Sequence, residues 1–130
     1  MAFRFAVALA ILPLGVTGAG AAGLELLMFE QPGCIYCARW TEEVGPEYPL
    51  TAEGRAAPLR RLQLRDPLPE GLSIGAPPVF TPTFVLVADG VETGRIEGYP
   101  GEDFFWPLLA DLIEKAPRTA PGAALDAAAD

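Results

Sequence analysis

Leu24 to Phe29 is a short, nearly all-apolar run (Leu-Glu-Leu-Leu-Met-Phe), broken at once by Gln31-Pro32-Gly33 and followed by the chain's two cysteines, Cys34 and Cys37. No other feature of the sequence constrains the fold as tightly. An apolar run of this length is expected for a strand buried on both faces, and Pro-Gly ends it. From Cys34 to Val44 there is no Pro or Gly, and Ala38, Trp40 and Val44 recur among polar residues, so a helix is expected to start at or near Cys34. Two thiols at this spacing close a small ring and cannot staple distant parts of a fold. A loop so short offers almost none of the chain-entropy stabilisation that a structural disulfide supplies. The pair therefore reads as chemistry.

The remaining chain divides by its breakers. Gly45-Pro46 ends the first helix, and residues 45–57 read as loop. Pro58 to Leu64 alternates Leu59, Leu62 and Leu64 with Arg60, Arg61 and Gln63, as a second strand would. Five prolines and two glycines between Asp66 and Pro82 leave no room for a long regular helix. Thr83 to Ala88 is a strand by its β-branched and aromatic content, and Asp89-Gly90 marks a hairpin. The return strand, Val91 to Tyr99, contains Gly94 and Gly98, which suits a bulge or an edge position. From Glu102 to Ala116, Phe104, Phe105, Leu108, Leu109, Leu112 and Ile113 fall at helical spacing. Glu102 and Asp103 at the start of that helix and Lys115 at its end match the helix dipole. The expected order is strand, helix, strand, irregular crossover, strand, hairpin, strand, helix.

The N-terminus has the three parts of a secretory signal: a short start with one cation, Arg4, an apolar stretch from about Phe5 to Val16, and small residues around Ala19-Gly20-Ala21. Pro13 and Gly15 interrupt the stretch, which falls short of the ~20 apolar residues that span a bilayer; a retained anchor is the competing reading. The expected organisation is a signal peptide over 1–22, one domain over 24–116 and a disordered Ala-, Pro- and Gly-rich tail over 117–130. Beyond Arg4, eight basic residues face 17 acidic ones. A surface this acidic argues against nucleic acid and against an anionic membrane surface as partners.

In an oxidising compartment a Cys-x-x-Cys pair is oxidised unless electrons are supplied. A cysteine at a helix N-terminus loses its proton more easily, because unpaired N–H groups and the dipole favour the thiolate. That assigns Cys34 as the attacking thiol and leaves Cys37, one turn into the helix, to resolve the mixed disulfide. The competing chemistry is metal binding. With no histidine and no second Cys-x-x-Cys, a zinc site would need carboxylates for its other ligands, and a Cu(I) metallochaperone would have two thiolates and few other soft ligands. No cofactor is expected.

A βαβ unit followed by ββα, with Cys-x-x-Cys opening the first helix and Thr81-Pro82 before the strongest strand, resembles the thioredoxin superfamily. The implied fold is α/β, a mixed central sheet flanked by helices. In that family a Thr-Pro or Val-Pro with a cis peptide bond faces the cysteines, and the residue before the proline offers backbone groups to an extended substrate. The resemblance gives that substrate-binding role to Thr81 and Pro82; a trans proline in a loop would remove it. Residues 28–40, Gly54 to Arg61, Thr81 to Leu86 and Gly94 to Gly101 resemble the periplasmic thioredoxins of bacterial sulfur-oxidation (Sox) operons. This likeness implies a periplasmic thiol–disulfide oxidoreductase acting mainly as a reductant. Its implied electron donor is a membrane thiol–disulfide transporter, and its implied client a disulfide of the thiosulfate-carrier complex. An oxidase or isomerase is the alternative direction.

Departures from ordinary thioredoxin limit what carries over. The family's buried acid, six residues before its first cysteine, is Met28 here. Glu30 is a candidate substitute for accepting the Cys37 proton, against the reading of a solvated loop carboxylate. Tyr36 could hydrogen-bond locally or shape the docking surface, and Trp40 and Trp106 are expected in the core.

Overall fold

The computed structural model describes residues 23–117, so the expected signal peptide and the expected tail beyond Pro117 lie outside the described residues. Its elements are β1 (Leu24–Glu30), α1 (Ile35–Glu43), a 3₁₀ turn (Tyr48–Leu50), α2 (Ala52–Ala56), β2 (Leu59–Gln63), β3 (Thr83–Ala88), β4 (Val91–Glu97) and α3 (Glu102–Lys115). The sheet order is β2-β1-β3-β4. β1 pairs in parallel with β2 and antiparallel with β3, and β4 returns antiparallel at the edge. The result is the mixed α/β sheet of a βαβ unit followed by ββα.

Alternation along β1 explains why its sequence is almost continuously apolar. Leu26 and Met28 point to one face, where they join Phe84, Leu86, Trp40, Val44, Phe105 and Leu109 beneath α1 and α3. Leu27 and Phe29 point to the other, with Val85 and Val87. Successive side chains of a strand face opposite ways, so a central strand covered on both sides must be apolar at every position. Phe105 meets Phe84 and Trp40 edge-on at 5.0 and 5.7 Å between ring centroids. Each such buried ring is worth about 1.5–3 kcal/mol from area removed from water. The second face is closed largely without a helix, by Leu62, Leu64, Leu72 and Ile74.

Residues 45–57 are not the loop that the sequence suggests: they hold the 3₁₀ turn and α2. Thr51 caps α2 by accepting the Gly54 amide at 3.0 Å and donates its own hydroxyl to the Tyr48 carbonyl. Both elements are too short for an apolar period to reveal, and Gly54 reads as a breaker. Gly54 is there because the chain folds back tightly: a Cβ would collide with the Tyr48 carbonyl oxygen.

Asp89 and Gly90 both take positive φ (50° and 82°), the requirement of a two-residue hairpin. β4 stops at Glu97 rather than running to Tyr99. Its register against β3 shifts between Leu86 and Val87, opposite Gly94. A Cβ at Gly94 would strike the Leu112 side chain, so the residue lets α3 lie close against the edge strand.

Residues 66–82 are irregular, as the prolines require, yet tied down. Ser73 forms a parallel bridge with Val91. The Glu92 carboxylate accepts the Gly75 amide at 2.7 Å, and Arg95 donates to the Ala76 carbonyl at 2.9 Å.

Candidate active site

Cys34 is the N-cap of α1. Its backbone is extended (φ −75°, ψ 105°) and its sulfur accepts the Cys37 amide at 3.1 Å. The two residues are joined in a disulfide, with Cα atoms 5.2 Å apart. Their environments differ. Cys34 is partly exposed, whereas Cys37 is 5% exposed and belongs to the helix-covered core.

The Thr81–Pro82 bond is cis. Three hydrogen bonds fix this segment: Gln31 Nε2 donates to Thr81 Oγ1 at 3.0 Å, the Thr83 hydroxyl to the Phe80 carbonyl at 2.8 Å, and the Gly98 amide to the Pro82 carbonyl at 2.8 Å. Gln31, in the sequence only part of a turn, thus joins the approach to Cys34 to a segment 50 residues away. Thr81 and Tyr36 line one groove together with Glu97, Gly98, Tyr99 and Pro100. A second, open cleft of about 560 Å³ runs past Cys34, Ile35 and Cys37 between Glu30 and Glu42. Both cysteines line the cleft, and Tyr36 between them lines the groove.

Behind Cys37 lies a polar chain that the sequence does not announce. Arg61 Nη1 is 3.1 Å from Glu30 Oε2, and Arg61 Nη2 donates to the Thr41 hydroxyl at 2.8 Å. That hydroxyl in turn donates to the Cys37 carbonyl at 2.8 Å. Glu30 is thus neither in a loop nor freely solvated: it ends β1, mostly covered and ion-paired. Arg61 reaches it because the parallel pairing of β1 and β2 sets Met28 opposite Arg61. Met28, where the family's acid stands, is fully buried among apolar side chains.

Trp40 is in the core, with the Arg61 guanidinium 5.7 Å from its ring centroid. Trp106 stacks on Tyr48 at 6.0 Å, half in the core. Tyr36 is exposed, its ring 5.9 Å from the Arg39 guanidinium. Tyr99 donates its hydroxyl to Glu43 Oε2 at 2.5 Å, bracing the last turn of α1 against the loop before α3. Burial, then the bond to Glu43, push its phenol well above the ordinary tyrosine range.

A mixed sheet with a disulfide at the N-terminus of its first helix, and a cis-proline segment tied to the turn before it, defines a thioredoxin-like protein. The thioredoxin-like domain model matches residues 18–113, and the chain belongs to that family. Among solved structures, the reduced periplasmic thioredoxin SoxS from Paracoccus pantotrophus shares 70% identity, with a TM-score of 0.71 over 72% of this chain and 99% of that one. No curated protein matches the chain. The chain is accordingly a periplasmic thiol–disulfide oxidoreductase resembling SoxS. No helix among the described residues is long and apolar enough to cross a membrane.

Proposed function

We propose that the protein works chiefly as a disulfide reductant, with Cys34 as the attacking thiol and Cys37 as the resolving one. The carrying observation is the position of Cys34: a partly exposed sulfur at a helix N-cap, facing the Cys37 amide at 3.1 Å. Both the amide and the helix dipole favour a thiolate there. In the forward reaction the Cys34 thiolate attacks one sulfur of a client disulfide. That S–S bond breaks, a mixed disulfide forms, and the other client sulfur leaves as a thiolate and takes up a proton. Cys37 gives up its proton and attacks the Cys34 sulfur, closing the ring and releasing the second client thiolate. Two electrons pass from the dithiol to the client, and an external dithiol donor returns them.

Thr81 and Pro82 present backbone groups to an extended client segment, which is held as an added strand. The likeness to the Sox thioredoxins supports a client disulfide in a thiosulfate-carrier complex and a membrane thiol–disulfide transporter as donor. In the same reading residues 1–22 direct export and residues 24–116 carry the whole activity.

The reduced protein is expected to reduce insulin, and Cys34→Ser to abolish this; full activity in that variant would place the nucleophile elsewhere. Cys37→Ser is expected to accumulate the mixed disulfide. Redox titration decides the direction. A potential near thioredoxin's (about −270 mV) fits a reductant, and one near about −120 mV would make the protein an oxidase.

A further inference from the structure

We propose that the Arg61–Glu30 ion pair sets how readily the Cys34–Cys37 disulfide is reduced, with Arg61 as the positioning residue; this rests on the oxidoreductase reading above.

Strand geometry brings the pair to the cysteines. Side chains two residues apart on a strand share a face, so Glu30 points to the same side of β1 as Met28, towards α1. Its side chain is only 20% exposed and lines the cleft that Cys34 and Cys37 also line. Parallel register sets Arg61 opposite Met28, and three contacts fix its guanidinium. It donates to both Glu30 oxygens, at 3.1 and 3.4 Å, and to the Thr41 hydroxyl at 2.8 Å, and it lies 5.7 Å from the Trp40 ring centroid. Thr41 in turn holds the Cys37 carbonyl, so the guanidinium is tied to the helical turn that carries the resolving cysteine. Arg61 pairs with no other carboxylate among the described residues, and Glu30 with no other cation.

Charge beside a dithiol acts on one redox state more than on the other. The disulfide is neutral, whereas the reduced form carries the Cys34 thiolate. An unpaired carboxylate nearby disfavours that thiolate, and an unpaired guanidinium favours it. Stabilising the reduced form makes a couple more oxidising, and destabilising it makes the couple more reducing. Held 3.1 Å apart, the Arg61 and Glu30 charges largely cancel at the cleft. Removing either partner uncovers the other. The remaining charges on α1 are weaker levers. Glu42, which also lines the cleft, is exposed and screened by water, and Arg39 is drawn to Glu43 at 3.9 Å.

The test uses the full chain and its Glu30→Gln, Arg61→Met and Glu30→Gln/Arg61→Met variants, each equilibrated in dithiothreitol buffers of graded ratio. In that exchange the protein dithiol passes two electrons and two protons to oxidised dithiothreitol, and the Cys34–Cys37 bond closes as the reagent's S–S bond opens. Arg61→Met is expected to shift the equilibrium constant to the reducing side by roughly threefold to tenfold, about 15–30 mV. It should also raise the pH at which the Cys34 thiolate appears in ultraviolet absorbance. Glu30→Gln should move both quantities the opposite way, and the double variant should return close to the parent. Arg61→Lys keeps the charge and should stay nearer the parent than Arg61→Met. A purely structural pair would lower stability in every variant without opposed redox shifts. Shifts of one sign in both single variants, or no shift in either, with the parent still reducing hydroxyethyl disulfide, would overturn the proposal and leave the oxidoreductase intact. If Arg61→Met does not fold, the Glu30→Gln shift decides alone: an oxidising shift supports the proposal, and no shift or a reducing one overturns it. A parent that neither equilibrates with dithiothreitol nor reduces hydroxyethyl disulfide would overturn the underlying reading and the proposal with it.

Discussion

Arg95→Ala should lower stability by about 2 kcal/mol at pH 7, and the loss should fade in acid. Arg95 and Glu92 form a two-pronged pair, Nε to Oε1 at 2.6 Å and Nη2 to Oε2 at 2.8 Å, with side chains 18% and 16% exposed. Exposed pairs are worth ~0.2–1 kcal/mol, while removing one partner of a fully buried pair costs ~3–5 kcal/mol. This pair lies between the two, and charge-assisted hydrogen bonds of ~1.5–3 kcal/mol set the middle value. The variant also loses the Arg95 bond to the Ala76 carbonyl, leaving Glu92 with only the Gly75 amide. In a domain of this size about 2 kcal/mol corresponds to roughly 8–16 °C in Tm. The Arg95 hydrogen bond is the main cause that holds the Glu92 carboxyl below its usual range, with the Gly75 amide and the Arg95 charge adding to it against burial. A depressed folded pKa contributes stability that is fully present above the unfolded carboxylate value of ~4.3. That stability is lost as pH falls through the folded value. Urea unfolding of both proteins at pH 7 and at about pH 3 measures the effect. A difference below about 0.5 kcal/mol at pH 7, or one that does not shrink at low pH, would refute the assignment of this pair as the clasp on the crossover.

Gly54→Ala should destabilise by about 1–3 kcal/mol in thermal or urea unfolding, because the added methyl meets the Tyr48 backbone carbonyl and not a side chain that can swing away. Tyr99→Phe should cost about 1–2 kcal/mol through the lost bond to Glu43. Its phenolate absorbance at ~pH 10.5 should match that of the parent, since the raised Tyr99 phenol is still protonated there. Gln31→Ala should cost no more than about 1.5 kcal/mol of stability yet lower kcat/KM on peptide disulfides, because Thr81 loses its tie to the turn before Cys34. Unchanged peptide kinetics would detach that hydrogen bond from client docking.

Much of this protein is legible in short stretches of chain. The Pro-Gly break before Cys34 and the uninterrupted run after it place a cysteine at a helix N-cap, and Asp89-Gly90 demands a tight hairpin. The apolar spacing from Phe104 to Ile113 describes one helix, which buries Phe105 and Leu109 and leaves Phe104 and Leu108 exposed. Each of these is a local property, set by φ restrictions, breaker residues or a side-chain period within a few turns. Tertiary structure decided what depends on residues far apart in sequence. Gln31 meets Thr81, and Arg61 joins Glu30 to Thr41 behind Cys37, through strand register that no local pattern encodes. The 3₁₀ turn and α2 exist because Tyr48 and Ala57 are drawn into the core, the Tyr48 hydroxyl donating to the Ala57 carbonyl at 2.6 Å. Leu72 and Ile74 cover the second face of the sheet because Glu92, Arg95 and Val91 hold an otherwise patternless segment against its edge. The cysteine pair at its helix N-cap is thus written into the stretch from Leu24 to Val44, while its surroundings are set by contacts whose energy appears only once the strands are paired.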